Sequence, residues 1–245
     1  MTTTEKAARE KSTQQALIAQ HDPRSAAAEA YRTLRTNIRF AGLDSPCRTV
    51  VVTSASPGEG KTTTVANFGI AAAQASARVC LVDSDMRRPS LHHLFGLPNT
   101  RGLTTALLEG QTFAALSQAT RIPNVSLLTS GPLPPNPAEL VASQRMHECL
   151  EAAMQDFDLV LLDSPPVASV SDALTLSAQC EGVMLVVRAG QVPQAVIRRT
   201  VEHIEAVRGR ILGVVLSSVN MSRDGEYYDY YRYYARYYGA AKPKS

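Results

Sequence analysis

The run Ala55-Ser56-Pro57-Gly58-Glu59-Gly60-Lys61-Thr62 sets two glycines, a lysine and a hydroxyl at fixed spacing directly after the β-branched run Thr49 to Thr53. Glycines at 58 and 60 let the backbone curl until successive N–H groups point at one anion, and a helix starting near Lys61 adds the positive end of its dipole. That is polyphosphate-binding chemistry. The spacing fits the phosphate-loop (P-loop) pattern, with Ala55 in place of its first glycine. The ligands expected are ATP and Mg²⁺: Lys61 meets the β and γ phosphates and Thr62 offers its hydroxyl to the metal. Ser56, Pro57, Gly58, Glu59, Gly60, Lys61, Thr62 and Thr63 are the nucleotide-binding candidates.

Two further apolar runs end in aspartate, Cys80-Leu81-Val82-Asp83-Ser84-Asp85 and Leu159-Val160-Leu161-Leu162-Asp163-Ser164. Ligands of open parallel sheets bind outside the carboxyl ends of the strands, so these carboxylates can share a crevice with the phosphate loop. Mg²⁺ requires hard oxygen ligands, which makes Thr62, Asp83 and Asp163 the metal candidates. Asp163 contacts Mg²⁺ directly or through water. Asp83 and Asp85 orient the metal or take a proton from the attacking group, and the catalytic set expected is Lys61, Asp83, Asp85 and Asp163. A strand-end aspartate alone is more often a turn or helix cap, so the weight rests on three of them beside the loop. Arg87 and Arg88 suit a phosphate, an acidic partner or plain solvent. His92 and His93 have no spaced ligand partners and read as core or surface histidines. Asn220 either contacts the base or caps a turn.

These groups must be positioned by a fold. Short β-branched runs recur at Thr49–Thr53, Val79–Asp83, Val125–Thr129, Leu159–Asp163, Val183–Val187 and Ile211–Ser217, continuous enough to be buried on both faces. Helical stretches alternate with them at Lys61–Gln74, Pro137–Gln155, Ser171–Gln179 and Pro193–Arg208, and Asp22-Pro23 reads as an N-cap with proline at the first position of a helix reaching Phe40. The pattern predicts an α/β protein with a mostly parallel sheet flanked by helices. Residues 1–21 read as a flexible leader, 22–220 as one domain opened by a helix over 22–40, and 221–245 as a tail. After Asn220 the chain contains no Leu, Ile, Val or Phe and has little with which to build a core.

Composition excludes several classes. The 245 residues are 44% hydrophobic and 19% charged, enough for a large core, and a net charge of +3 is too mild for a nucleic-acid footprint. The polar start MTTTEKAAREKSTQQ has no apolar core of a signal peptide, and every uncharged stretch carries Asn, Gln or proline breaks that argue against a membrane span. Cys47, Cys80, Cys149 and Cys180 lie far apart and read as reduced structural thiols.

Four segments resemble the bacterial tyrosine kinases of capsule and exopolysaccharide assembly: Glu29-x-x-Arg32-x-x-Arg35 within EAYRTLRTNIRF, SPGEGKT, VCLVDSDMRRP, and the tyrosines after LVLLDSPP. The resemblance runs from about Ile18 to the C-terminus. It implies a P-loop protein-tyrosine kinase using ATP and Mg²⁺, assembled as a homo-oligomeric ring through Glu29, Arg32 and Arg35. It also implies autophosphorylation of Tyr227, Tyr228, Tyr230, Tyr231, Tyr233, Tyr234, Tyr237 and Tyr238 between subunits. Expected partners are a membrane adaptor that regulates chain length, whose cytosolic tail completes the ATP site, and a cognate tyrosine phosphatase, with no nucleic acid. The initial methionine and missing span suit the separate, cytoplasmic kind, recruited to the inner membrane face by the adaptor. The related partitioning and division-site ATPases usually carry a second lysine near the loop's start, where this chain has Ser56. A nucleotide-dependent binding switch of that kind is the rival reading. A third is a membrane-surface protein that senses ATP and binds through the basic helix.

Overall fold

The computed structural model describes residues 16–41 and 47–219. Its centre is a sheet built from β1 (Thr49–Ser54), β2 (Val79–Asp83), β3 (Gln118–Ala119), β4 (Val125–Leu128), β5 (Leu159–Asp163), β6 (Gly182–Arg188) and β7 (Ile211–Ser217). The spatial order is β3-β4-β2-β5-β1-β6-β7, parallel throughout except for the short β3 against β4. As the apolar runs require, β1, β2 and β5 are buried along their whole length, with side chains alternating between two cores. Val50, Val52, Leu81 and Leu161 face one core, and Val51, Val82, Val160 and Leu162 the other.

The first core is covered by α1 (Ile18–His21), α2 (Ala26–Ala41) and α3 (Lys61–Ala73). Helix α3 carries the phosphate loop and is buried almost all round, Phe68 and Ile70 contributing about 1.5–3 kcal/mol each by leaving water. Gly69 is what lets it lie so close to the sheet, since a Cβ there would stand 2.5 Å from Leu81 Cδ2. Beyond β2 come α4 (Leu91–Phe95), α5 (Leu103–Glu109) and α6 (Phe113–Leu116). The second core is closed by α5 and α6 together with α7 (Pro137–Val141), α8 (Gln144–Asp156), α9 (Asp172–Gln179) and α10 (Gln194–Ala206).

Three boundaries depart from the sequence reading. Leu17 and Ala19, assigned to the leader, are buried, and Asn67 of α3 ties them down: it accepts from Ala19 N–H at 2.9 Å and donates to the Ala16 carbonyl at 2.7 Å. Packed chain therefore begins before residue 22. Helix α2 starts at Ala26, not after Asp22-Pro23, because a turn intervenes and Ser25 is the cap, its hydroxyl accepting from Ala28 N–H. The stretch Pro137–Gln155 is two helices, because extended Ser143 ends one and caps the next by accepting from Met146 N–H at 3.3 Å. Among the described residues no helix is long and apolar enough to cross a membrane.

Candidate active site

Strand β1 runs directly into residues 55–60 and then into α3, the order the motif demands. Gly58 and Gly60 hold φ of +78° and +93°, a left-handed backbone that a side chain would strain. Neighbouring strand ends hold the loop. The Ser54 hydroxyl donates to the Ser56 carbonyl at 2.7 Å, the Ser217 hydroxyl to the Glu59 carbonyl at 2.6 Å, and the Arg188 guanidinium to the Gly58 carbonyl at 3.3 Å. Lys61 opens α3 with its side chain largely buried. Burial pushes its pKa down, opposed by the charges of Asp163, Asp85 and Glu59.

Strands β2 and β5 are adjacent, and their register places Asp83 opposite Asp163. The Thr62 hydroxyl donates to Asp163 Oδ2 at 2.6 Å. Asp83 Oδ2 accepts from Ser90 N–H and Leu91 N–H at 2.9 Å each, so this carboxylate fastens the start of α4. The other oxygen of each, Asp83 Oδ1 and Asp163 Oδ1, is buried and has no hydrogen-bond partner among the described residues. Burial pushes Asp163 up to about 7 against the opposing Thr62 hydrogen bond and Lys61 charge. Burial, then the Asp163 charge, raises Asp83 well above the carboxylate range. Two orphaned hard oxygens beside a threonine hydroxyl fit Mg²⁺ that arrives on a polyphosphate and keeps part of its own shell. Among the described residues no cluster of three acidic, His or Cys side chains could hold a metal unaided.

The third aspartate is engaged differently. Asp85 Oδ1 accepts from Arg87 N–H at 3.2 Å and Arg88 N–H at 2.9 Å, shaping the loop after β2. Arg87, left open by the sequence, donates through Nε and an Nη to the Asp172 carboxylate at 2.9 and 3.2 Å, Asp172 being wholly buried in the first turn of α9. This pair clips the loop after β2 to the segment after β5. Ser90 was missed altogether: its hydroxyl lies 3.1 Å from Thr62 Oγ1, and since Thr62 gives its one proton to Asp163, Ser90 is the donor. Only the turn signal Pro89-Ser90 marked that position. Thr63 follows Thr62 in α3, its carbonyl engaged by Asn67.

Helix α2 places Tyr31 and Leu34 against the core and Ile38 within it, as its periodicity requires. Glu29 and Arg32 pair with each other at 2.5 Å, and Arg35 donates to the Ala71 carbonyl at 2.9 Å. Both contacts lie within one subunit. Asn220 and the eight tail tyrosines lie outside the described residues.

The chain is similar to several known proteins along most of its length. The family described as NUBPL iron-transfer P-loop NTPase, of the ParA type, matches residues 47–232. The tyrosine-protein kinase YwqD of Bacillus subtilis is 39% identical over 87% of this chain and 90% of its own. The tyrosine-protein kinase CpsD of Streptococcus agalactiae is 32% identical over 79% and 84%. The solved kinase domain of the Escherichia coli tyrosine kinase ETK superposes with a TM-score of 0.78 at 30% identity, covering 83% of this chain and 82% of that one. On this likeness along most of its length, the chain belongs to the bacterial tyrosine-protein kinases, which are built on a ParA-type P-loop NTPase fold.

Proposed function

We propose that this chain transfers the γ-phosphoryl group of ATP to protein tyrosine, its own tail tyrosines Tyr227 to Tyr238 first, and that it does so between subunits of a ring. The observation that carries the reading is the 2.6 Å contact of Thr62 with Asp163 beside the free oxygen of Asp83, at the start of the helix that Lys61 opens. Phosphoryl transfer needs positioning and charge neutralisation more than covalent chemistry. The amides of residues 58–62 and the α3 dipole hold the phosphates, and Lys61 meets charge on the β and γ oxygens. Mg²⁺, when held by Thr62 and Asp163, adds positive charge at the same oxygens. Asp83, kept ionised when the positive charge of Lys61 and Mg²⁺ offsets its burial, would accept the phenol proton as the tyrosine oxygen bonds to phosphorus and the bond to the ADP oxygen breaks. Asp85 holds the loop that brings Asp83 and α4 together.

The wider setting follows the kinship. The kinase acts in capsule or exopolysaccharide synthesis at the inner membrane face, where an adaptor's cytosolic segment completes the ATP site. A tyrosine phosphatase reverses the modification. Glu29, Arg32 and Arg35 exchange their internal contacts for a neighbouring subunit when the ring forms, presenting both signs of charge along one helical face.

The test is incubation of the purified chain with Mg-ATP, with and without an adaptor tail peptide, followed by mass spectrometry of residues 221–245. Phosphotyrosine is expected there, and none in Lys61→Met, whose melting temperature stays near that of the parent. ATP turnover without phosphotyrosine supports the binding-switch reading instead. Phosphorylation by Lys61→Met at the parent rate removes the phosphate loop from the reaction.

A further inference from the structure

Glu59 stands inside the phosphate loop with 2% of its surface exposed. Its carboxylate oxygens bond backbone amides, although its charge also reaches Lys61. One oxygen accepts from Ser56 N–H, the other from Arg188 N–H at 3.2 Å at the end of β6, and its own carbonyl accepts from the Ser217 hydroxyl of β7. A buried negative charge beside the seat of a polyphosphate disfavours that ligand by simple repulsion. Its retention there calls for an offsetting gain. Two amides from separate strand ends otherwise lose their acceptor, and an orphaned buried N–H costs more than an ordinary hydrogen bond contributes.

We propose that Glu59 is a positioning residue for the nucleotide: its carboxylate, together with the Ser217 hydroxyl on its carbonyl, braces the phosphate loop against β6 and β7 in the shape that receives ATP. The brace acts through the backbone. Ser56 N–H is turned toward Glu59, which fixes the first bend of the loop and leaves the amides near Gly58 and Gly60 to face the phosphates. Through Ser217 the same brace joins the loop to the strand that leads into the tyrosine tail. The inference rests on the nucleotide reading of the loop, which it refines from a set of lining residues to a mechanism for their shape.

Charge and brace predict opposite outcomes for one isosteric change. Glu59→Gln removes the negative charge but keeps one acceptor, and its NH₂ faces the amide that loses its partner. If repulsion dominates, ATP binds more tightly. If the brace dominates, the dissociation constant for a fluorescent ATP analogue with Mg²⁺ rises about tenfold, the KM for ATP rises with it, and kcat stays within about twofold. Loss of folded protein alone lowers kcat and leaves KM unmoved. Ser217→Ala, at a half-buried position on an edge strand, weakens binding about threefold by the same route. Binding by Glu59→Gln as tight as or tighter than the parent, or unchanged affinity in Ser217→Ala, overturns the brace while leaving the nucleotide reading intact. Absence of ATP binding by the parent protein overturns both.

Discussion

Asp163 is wholly buried, and its carboxyl, pushed up to about 7, keeps its proton where an unfolded aspartate has lost it above about 4. Between those values the folded protein binds more protons than the unfolded one, so stability falls as pH rises from about 4 to about 7 and then levels. Asp163→Asn cannot ionise and keeps an acceptor for the Thr62 hydroxyl. In EDTA and without nucleotide, this variant melts several degrees above the parent at pH 8, and the gap closes toward pH 5, as differential scanning calorimetry will register. The same variant loses Mg²⁺-dependent kinase activity, so stability and function part at this residue. A variant that melts below the parent at pH 8 contradicts the burial argument. At this scale the sequence was partly readable. Lys61, Thr62, Asp83 and Asp163 were legible because motif and strand end carry them locally. Ser90, Arg188 and Ser217 were not, because each enters the site from a separate segment through a contact that only the folded backbone creates.

Between elements, the Arg87–Asp172 pair joins the loop after β2 to the start of α9, and its two ends are unequal. The Asp172 side chain is 1% exposed and that of Arg87 is 39% exposed. Removing the arginine strands a buried carboxylate. Removing the carboxylate leaves an arginine that can turn to water. Arg87→Met therefore costs about 3 kcal/mol and Asp172→Asn nearer 1 kcal/mol, measured by urea unfolding. Arg87→Met also lowers kcat, since Arg87 N–H and side chain together set the loop that carries Asp85. Equal losses from the two substitutions refute the asymmetry. The long buried strands and α3 were legible from their runs of apolar residues. The short α4, α5 and α6 were not, since five, seven and four residues carry too few turns for a periodic signal. The break between α7 and α8 hid for a related reason: Ser143 reads as an ordinary helical residue until its hydroxyl is seen capping the next turn.

For the whole molecule, the question is where the tyrosines go. Strand β7 ends at Ser217, at the edge of the sheet, and Asp83 lies across β6, β1 and β5 on β2, a separation of about 19 Å at ordinary strand spacing. Tyr227 lies ten residues beyond Ser217 and Tyr238 twenty-one, enough extended chain, at about 3.4 Å per residue, to reach either its own crevice or a neighbour's. Reach does not decide between them, but charge favours engagement. Residues 221–245 carry five Lys or Arg against three Asp or Glu, so the unmodified tail, with a net charge of +2, is drawn toward a crevice charged with the phosphates of a bound nucleotide. Eight of the nine tyrosines lie there and all five phenylalanines lie elsewhere. Packing accepts either ring, so the exclusive use of Tyr points to its hydroxyl. Each phosphate adds about −1.5 to −2 charges, which reverses the attraction and sets neighbouring tails repelling one another. In a ring, this releases modified tails and loosens the subunits. The prediction is transfer between subunits: when Lys61→Met protein with an intact tail is mixed with active protein lacking residues 226–245 under Mg-ATP, phosphotyrosine appears on the inactive partner's tail. Its rate rises with total protein concentration, and light scattering shows the assembly shrinking as phosphate accumulates. An unmodified Lys61→Met tail, under conditions where the parent protein is fully phosphorylated, confines the reaction to each subunit's own tail.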